Sequence, residues 1–428
     1  MKTYLQPNKE NWDHILQRPA LDHSQLENTV AGVLQEIKAE GDAAVLRYTE
    51  KFDGVRPEHM LVTSEEIDRA RKSLDPELKA AIQQAAQNIE RFHASQHQEP
   101  QVVETMPGVS CWRKSVGIEK VGLYIPGGTA PLFSTVLMLG IPARLAGCRE
   151  IVLCSPPTHQ GGIHPAIIYT ADLVGITKIF KIGGVQAIGA MAYGTESVPQ
   201  VYKIFGPGNQ YVTAAKQLVN KAGLPIDMPA GPSEVLVCAD ETADPEYVAA
   251  DLLSQAEHGT DSQVVLIGFT EQFIQDVREA IDRQLEVLPR AEIARAALDN
   301  SAAMVVTERQ EALEMINFYA PEHLILSLKQ VDEFAEGVIN AGSVFLGNYT
   351  PESVGDYASG TNHTLPTNGF ARSYSGVSLD AFVKKITFQR LSPEGLRRLG
   401  PTVEAMAAAE ELEAHKQAVS IRLRKLTN

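Results

Sequence analysis

The sequence predicts an α/β protein that contains two Rossmann-like halves. Two series of short apolar segments alternate with helix-like segments. The first begins with KVGLYIPGG at residues 120–128, and the second begins with EVLVCAD at residues 234–240. Strands that alternate with helices of ten or more residues indicate βαβ units, and therefore parallel sheets. Because the two series are organised alike, the sequence suggests a duplication of one Rossmann-like unit.

The segment that precedes the first series, residues 20–105, is predicted to be helical with polar connections. SQLENTVAGVLQEIKAEGDAAVLRYTEKFDG has apolar residues at helical spacing, with Gly41 and Gly54 as breaks. TSEEIDRARKSL starts with a capping-box pattern, in which Thr63 or Ser64 is followed by acids.

The two series then continue with recognisable strands and helices. In the first, the helix-like PLFSTVLMLGIPARLAG and NQYVTAAKQLVNKAG flank strand-like segments such as EIVLCSPP and KIFKIGG. In the second, a helix at residues 245–257 is followed by SQVVLIGF, AAMVVTE and SVFLG. The tail TVEAMAAAEELEAHKQAVSIRLRKL is rich in helix formers and follows a predicted break at Gly400-Pro401. We expect this tail helix to pack on a partner subunit.

The composition is that of an ordinary globular protein, with 44% apolar and 21% charged residues in a chain of 428. No apolar run reaches the roughly 18 residues that a membrane span needs, and the N-terminus lacks the pattern of a secretory signal. The formal net charge of -15, without a basic stripe, disfavours nucleic acid and anionic membranes as partners. The four cysteines form no CxxC motif, which favours a reducing compartment. We therefore expect a cytoplasmic protein that binds neither nucleic acid nor membranes.

Residue types that zinc chemistry uses are concentrated in four stretches of the second half. The chain has 11 histidines, and the last four fall one in each stretch. A zinc ion that activates water or an alcohol needs a few N/O ligands, an open position and a nearby acid–base group. The candidates are Gln255 and His258, Glu322 and His323, Asp356 and His363, and Glu410, Glu411 and His415.

The first stretch lies at the end of the predicted helix 245–257. Asp244 is a suitable N-cap, Pro245 fits the first helical position, and Gly259 can end the helix. Gln255 and His258 are three residues apart in the last turn, so they share one face. The alternative is a polar helix end in water.

The next two stretches are turns or loops beside apolar runs. Glu322 and His323 could form an acid and a base side by side, since histidine titrates near neutral pH. The alternative is a surface turn. Asp356 and His363 lie in a polar loop, PESVGDYASGTNHTLPT. Such loops often carry function, although aspartate also serves turns.

The remaining signals are weaker. On the tail helix, spacing favours Glu411 over Glu410 as the same-face neighbour of His415, and a solvated helix face is the alternative. No GxGxxG motif occurs. KIGGVQAIGAMAYG and IFGPGN each have glycine at a strand end before a helix, where backbone N–H groups can meet phosphate, but tight turns explain them equally well.

Taken together, eight segments occur in one order along the chain. They are VGLYIPGGTAPLFSTVLM, IFGPGN, IDMPAGPSEVLV, ADLLSQAEHG, YAPEHLI, AGSVFLG, PESVGDYASGTNHTLPT and AAAEELEAHKQAV. With them the chain resembles the histidinol dehydrogenase family over nearly its whole length. AGPSEVLV, SQAEHG and GDYASGTNHTLPT are the most specific of these motifs.

The resemblance implies a reaction, two cofactors and a set of site residues. The reaction is the zinc-dependent four-electron oxidation of L-histidinol to L-histidine through bound L-histidinaldehyde, with two NAD+ and water, as the final step of histidine biosynthesis. The catalytic pair would be Glu322 and His323. The motif favours Glu410 over Glu411, against the spacing argument. Zinc would be held by Gln255, His258, Asp356 and His415; substrate by Ser233, Gln255, His258, His323, Asp356, His363, Glu410 and His415; and NAD by Tyr124, Gln186 and Asn209.

The resemblance also implies an intertwined homodimer of two incomplete Rossmann-like domains, in which His415 completes the site of the partner subunit. We expect an N-terminal arm (1–20), a first Rossmann-like domain with the zinc and catalytic residues (21–122 and 234–375), a second domain on the NAD side (123–233) and a C-terminal helical tail (376–428). The alternatives are a zinc-dependent hydrolase without NAD, in which Glu322 activates water, and a metal-stabilised structural or binding protein.

Overall fold

The protein, described here by a computed structural model, consists of two compact units. The larger unit contains Met1–Gln96 and Ile118–Phe382, and the smaller contains His97–Gly117 and Val383–Asn428. The structure describes residues 1–19, 24–127, 131–229 and 231–427. Parts of two motifs quoted above, residues 128–130 and Ala230, therefore lie outside the described residues.

The strands in chain order are β1 (Lys2–Leu5), β2 (Val103–Met106), β3 (Val109–Gly117), β4 (Lys120–Tyr124), β5 (Glu150–Ser155), β6 (Lys178–Lys181), β7 (Lys203–Phe205), β8 (Glu234–Ala239), β9 (Gln263–Gly268), β10 (Ala302–Val305), β11 (His323–Ser327), β12 (Ser343–Leu346) and β13 (Val383–Leu391).

The α-helices in chain order are α1 (Trp12–Ile15), α2 (Ser24–Glu40), α3 (Asp42–Asp53), α4 (Ser64–Ser73), α5 (Pro76–Ala94), α6 (Phe133–Leu145), α7 (Pro165–Leu173), α8 (Gly184–Tyr193), α9 (Gln210–Lys221), α10 (Pro245–Ala256), α11 (Glu271–Leu285), α12 (Ala291–Asp299), α13 (Arg309–Tyr319), α14 (Val331–Ala335), α15 (Glu352–Tyr357), α16 (Pro393–Ala409) and α17 (Glu413–Thr427). Among the helices of the described residues, none is long and apolar enough to cross a membrane.

The larger unit is a mixed α/β fold with two parallel sheets, which confirms the predicted class. One sheet has the strand order β6-β5-β4-β7, and the other has the order β1-β10-β9-β8-β11-β12. Numbered along the chain within each series, four adjacent strands in both sheets have the order 3-2-1-4, which is the order of the first four strands of a Rossmann sheet. The inner strands β5, β8 and β9 are largely apolar and almost completely buried, as expected for parallel sheets covered on both faces, whereas the edge strands β1 and β12 are partly exposed.

The predicted N-terminal helices form, and they pack on the four-stranded half. Helix α2 packs on α8 and α9, α4 packs on α7, and α5 packs on α6. The capping box is built on Thr63: its side chain accepts from the Glu66 N–H at 3.3 Å, and Glu66 accepts from the Thr63 N–H at 2.8 Å. This packing differs from the expected grouping of residues 21–122 with the six-stranded half.

The smaller unit contains an antiparallel sheet that the sequence did not predict. Strand β13 pairs with all nine residues of β3, from Val383 opposite Gly117 to Leu391 opposite Val109, and β2 pairs with the other edge of β3. Strand β13 is mostly exposed, so it lacks the alternation of buried and exposed residues that marks a half-buried strand.

The helical tail consists of two helices rather than one. It is interrupted after Ala409, where Glu411 has a left-handed φ of 58°. Gly400-Pro401 is not a break, because α16 begins earlier, at Pro393, with Ser392 as its N-cap. A Cβ atom on Gly400 would lie 2.7 Å from a methyl group of Leu423. The glycine therefore allows α16 and α17 to approach closely.

Candidate active site

Several polar side chains gather at the amino edge of the six-stranded sheet. The neighbouring strands β8 and β11 begin there, at Glu234 and His323. Helix α10 crosses back after β8, so its C-terminal end brings Gln255 and His258 to the same edge. Open α/β sheets usually bind ligands at the carboxyl ends of their strands. This cluster therefore lies at the opposite edge from the usual one.

The Glu322–His323 pair is buried at the start of β11, with only 6% and 4% of each residue exposed. Glu322 Oε2 accepts a hydrogen bond from the Glu234 N–H at 2.9 Å and lies 3.6 Å from His323 Nδ1. His323 Nδ1 also lies 3.3 Å from the Glu234 carbonyl oxygen, which can only accept. This contact favours a proton on Nδ1, so Nε2, 3.4 Å from Asp356 Oδ1, is the nitrogen free for proton transfer.

The charges of this pair are strongly coupled. Burial alone would lower the pKa of His323, but the carboxylates of Glu322 and Asp356 outweigh it and raise that pKa. Burial raises the pKa of Glu322, although the charge of His323 opposes the shift. A buried acid and a buried imidazole with displaced pKa values, side by side, are typical of general acid–base sites.

Two further histidines lie around Asp356. Burial lowers the pKa of His258 and that of His363, and the negative charge of Asp356 opposes both shifts. His363 donates through Nδ1 to the Asp356 carbonyl oxygen at 2.8 Å, while its Nε2 lies 3.1 Å from Thr135 Oγ1. Because Thr135 is in the first turn of α6, this contact joins the amino edge of the six-stranded sheet to the connection that follows β4.

The amide of Gln255 is oriented by an acid, Glu352, that the sequence interpretation missed. With its nitrogen toward Glu352, Gln255 donates to Oε1 of that residue at 2.9 Å and accepts from the Glu234 N–H at 3.1 Å. The same Glu352 oxygen accepts from Ser254 Oγ at 2.9 Å. Burial raises the pKa of Glu352 to about 7, although the charge of His323 opposes the shift.

Three buried polar atoms in this cluster have no hydrogen-bond partner among the described residues: His323 Nε2, Glu352 Oε2 and Asp356 Oδ1. An unsatisfied buried polar atom costs roughly 1–3 kcal/mol, so such atoms indicate a ligand or ion. Oxygen and imidazole nitrogen donors suit zinc. Within the described residues, no group of three His, Cys, Asp or Glu side chains is arranged to hold a metal. Two predicted ligands of these types, His258 and Asp356, lie together, and the third predicted ligand here is the amide of Gln255.

The other predicted substrate and metal residues occupy different places. Ser233 directly precedes β8, and its carbonyl oxygen accepts from the Gln263 N–H at 3.2 Å. Glu410 follows α16, and His415 lies in the first turn of α17. Both belong to the smaller unit, where their side chains are exposed.

The three predicted NAD residues follow strands of the four-stranded sheet at its carboxyl edge. Tyr124 ends β4, Gln186 lies in α8 after β6, and Asn209 follows β7. Strands β4 and β7 are neighbours at the point where the strand order reverses. Such a switch point is where open α/β sheets bind dinucleotides.

Each of these residues already has a structural contact. Tyr124 is buried, which raises its pKa to about 12, and its Oη accepts from the Gly184 N–H at 3.2 Å. Gln186 is completely buried, and its Nε2 donates to Asp53 Oδ2 at 3.0 Å. Asn209 is exposed and caps α9 by accepting from two backbone N–H groups at 3.1 Å.

Among the residues of these two clusters, Asp53, Thr135, Glu234, Ser254 and Glu352 were not singled out from the sequence. Glu352 carried a usable signal, because it stands four residues before Asp356, and this spacing aligns two side chains on a helix. Asp53 and Thr135 carried none, since their partners are distant in the chain.

Comparison with known proteins identifies the family to which the chain belongs. A family model described as histidinol dehydrogenase matches residues 16–423. The histidinol dehydrogenase of Bacteroides thetaiotaomicron is 62% identical over 426 residues, with 100% of both chains covered. That of Vibrio parahaemolyticus is 54% identical over 423 residues, covering 98% of this chain and 97% of its own. The crystal structure of the enzyme from Elizabethkingia anophelis superposes with a TM-score of 0.98 at 55% identity, covering 100% of this chain and 99% of the other. The chain therefore belongs to the histidinol dehydrogenase family of NAD-dependent oxidoreductases.

Proposed function

We propose that this protein catalyses the zinc-dependent four-electron oxidation of L-histidinol to L-histidine, through bound L-histidinaldehyde, with two NAD+ and water. Within a family of dehydrogenases in histidine biosynthesis, the observation that carries this proposal is the buried Glu322–His323 pair beside Asp356. The pair supplies an acid and a base at one point, as two oxidations separated by hydration require.

The residues that would hold zinc are Gln255, His258 and Asp356 of one chain, with His415 of the other. A zinc ion bound there would anchor the amine and imidazole nitrogens of histidinol, which are good donors for this metal. The unpartnered Asp356 Oδ1 supports this assignment, since a buried carboxylate oxygen without a donor is stabilised by a cation. Glu352 would hold the nitrogen of the Gln255 amide, so that the amide oxygen faces away from Glu352 and can bind the metal.

His323 and Glu322 would divide the proton transfers between them. His323 Nε2 accepts the hydroxyl proton of the substrate in the first oxidation and a proton of the hydrated aldehyde in the second. Glu322 orients the water that adds to the aldehyde. NAD+, bound at the switch point by Tyr124, Gln186 and Asn209, would accept hydride in each oxidation. A cation beside Asp356 would partly neutralise that carboxylate and so lower the pKa of His323 toward the working range of a base.

We further propose a duplicated pair of incomplete Rossmann-like domains and an intertwined homodimer. The shared 3-2-1-4 strand order supports the duplication. The exposure of Glu410 and His415 supports a contribution of both residues to the site of another subunit. We assign residues 123–233 to NAD and residues 234–375 to zinc and catalysis. The four cysteines are free, which is consistent with a cytoplasmic location.

The deciding experiment measures NADH absorbance after limiting L-histidinol is added to the enzyme with excess NAD+, with and without chelator treatment. Two NADH per histidinol, lost on chelation and restored by zinc, are expected. One NADH would mean that the aldehyde escapes and that the role of Glu322 is misassigned. No NADH from a folded, zinc-loaded protein would contradict the proposal and would favour a zinc hydrolase, which does not use the residues at the switch point.

A further inference from the structure

A carboxyl group outside the catalytic cluster, Asp53, contacts one of the proposed NAD residues. Asp53 is the last residue of α3, and its Oδ2 accepts a hydrogen bond from Gln186 Nε2 at 3.0 Å. Among the described residues no basic side chain forms an ion pair with it, and burial raises its pKa to about 6. Asp53 is therefore an acid whose polar contact is with a glutamine amide.

The other end of that amide is an oxygen without a partner. Gln186 is 0% exposed, and its Oε1 accepts no hydrogen bond from any described residue. The oxygen lies over the start of α8, where a Cβ atom on Gly184 would come within 2.9 Å of it. The nearby Gly184 N–H donates to Tyr124 Oη instead. The amide is thus bonded at its nitrogen and unbonded at its oxygen.

The orientation of the amide follows from the chemistry of Asp53. An ionised carboxylate accepts hydrogen bonds and cannot donate them. If the Gln186 amide were reversed, its oxygen would face the carboxylate and two acceptors would repel each other. While Asp53 is ionised, the nitrogen of Gln186 is therefore held toward Asp53 and the oxygen is directed away from it.

We infer that Asp53 is a positioning residue, which fixes Gln186 so that it presents an acceptor to the dinucleotide and bonds an amino group of that ligand. This inference rests on the proposed NAD site. NAD+ has two amino groups that donate without accepting, on the adenine ring and on the nicotinamide carboxamide. Because Gln186 is enclosed, neighbouring side chains must shift for either group to reach it, as is common when ligands bind.

The test compares the binding of three dinucleotides to the full-length, zinc-loaded protein by titration calorimetry at about pH 8, where Asp53 is ionised. They are NAD+, its hypoxanthine analogue, which lacks the adenine amino group, and its 3-acetylpyridine analogue, in which a methyl group replaces the carboxamide amino group. In the unaltered protein we expect one analogue to bind about tenfold more weakly than NAD+, the effect of one lost hydrogen bond to a buried acceptor. Which analogue is weakened identifies the amino group.

Asp53→Asn separates positioning from a merely structural role. Asparagine has the same size but pairs with Gln186 in either orientation, so the amide is no longer fixed. The preference for NAD+ over the weakened analogue should then fall below about threefold, as it should in Gln186→Ala. Asp42→Asn, at the other end of α3, is the matched control and should keep the full preference. Thermal unfolding measured on each variant verifies that it is folded.

Three results would overturn the inference. The Asp53→Asn variant could retain the full preference for NAD+ over the weakened analogue. It could bind all three dinucleotides more weakly by the same factor. The unaltered protein could bind both analogues as tightly as NAD+. Failure of the proposed function looks different, because the unaltered, folded protein would then bind none of the three dinucleotides.

Discussion

At the scale of the residue, His323 is constrained at both ring nitrogens. Its Nδ1 faces the Glu234 carbonyl oxygen and the Glu322 carboxylate, and its Nε2 faces Asp356. The backbone acceptor determines which nitrogen keeps its proton, and the acids determine how strongly the other binds one. The neighbours of His323 therefore define its capacity to act as the proposed base.

We expect His323→Asn to reduce turnover of histidinol by roughly 10²- to 10⁴-fold, the usual contribution of a general base. Asparagine fills similar space but cannot take a proton, and His323 is not among the proposed zinc ligands. Zinc content should therefore remain at the level of the unaltered enzyme. Steady-state rates and metal analysis measure the two quantities. Near-normal turnover would remove His323 as the base.

Glu352 acts on the proposed zinc ligand Gln255 rather than on the substrate. We expect Glu352→Gln to weaken zinc binding by about tenfold or more, because the neutral side chain no longer dictates the direction of the Gln255 amide. Competition with a chelator measures the zinc affinity. Ser254→Ala removes the other contact of Glu352 and leaves the Gln255 contact in place, so a much smaller effect is expected there. Equal effects of the two variants would show that Glu352 does not orient Gln255.

At the scale of the element, close backbone approach holds the switch point together. Gly206 follows β7 with a φ of 125°, and a Cβ atom there would lie 2.0 Å from the Tyr124 carbonyl oxygen. Strands β4 and β7 pair beside this contact. A side chain at this position would therefore push apart β4, which ends at Tyr124, and β7, which precedes Asn209.

Gly206→Ala should lower the free energy of unfolding by about 3 kcal/mol or more, since the clash is with backbone and adds to the cost of an unfavourable φ. Gly223→Ala is the matched control. Gly223 also has a positive φ, 103°, but a Cβ atom there would meet nothing within 4 Å. Gly223→Ala should lower the free energy of unfolding by only about 1 kcal/mol. Urea denaturation measures both variants, and a similar loss in the two would mean that the contact with Tyr124 relaxes easily.

Helix α10, which carries Gln255, has an acid on its buried side. Burial raises the pKa of Asp251 from 3.8 to about 7, and the residue is only 9% exposed. The folded state binds the proton of the Asp251 carboxyl group more tightly than the unfolded chain does. The contribution of this proton to stability is therefore fully present below about pH 4 and is lost as pH rises through about 7. Ionised Asp251 is therefore unfavourable at alkaline pH.

We expect Asp251→Asn to stabilise the protein at about pH 8 by roughly 2–4 kcal/mol, and to have little effect at about pH 4, where aspartic acid is already protonated in the fold. Chemical denaturation of both proteins at the two pH values measures the difference. If Asp251→Asn raised the free energy of unfolding equally at both pH values, the pKa of Asp251 would not be raised in the folded protein.

The sequence predicts elements well where the signal is local, and poorly where it is not. Thr63 and Asp244 cap their helices as their neighbours in the sequence indicate. Strand β13 was missed because its partner β3 lies far away in the chain and its residues are mostly exposed. The position of the cluster around His323, at the amino edge of its sheet, could not be predicted either, since it depends on which strands become neighbours.

At the scale of the whole molecule, the predicted site residues are distributed between two units of the chain. The predicted site residues at the amino edge of the six-stranded sheet all belong to the larger unit, whereas Glu410 and His415 are exposed residues of the smaller unit. If the protein is a two-fold dimer, each site can take His323 from one subunit and His415 from the other.

This arrangement predicts complementation between two inactive variants. In a heterodimer of His323→Asn and His415→Asn subunits, one site has both substitutions and the other has neither. Random mixing makes about half of the dimers heterodimers, each with one intact site, so activity should recover to about one quarter of the unaltered level. Differently tagged subunits, refolded together and purified through both tags, should reach about one half. If verified heterodimers stay as inactive as either parent, His415 acts within its own chain and the shared site is wrong.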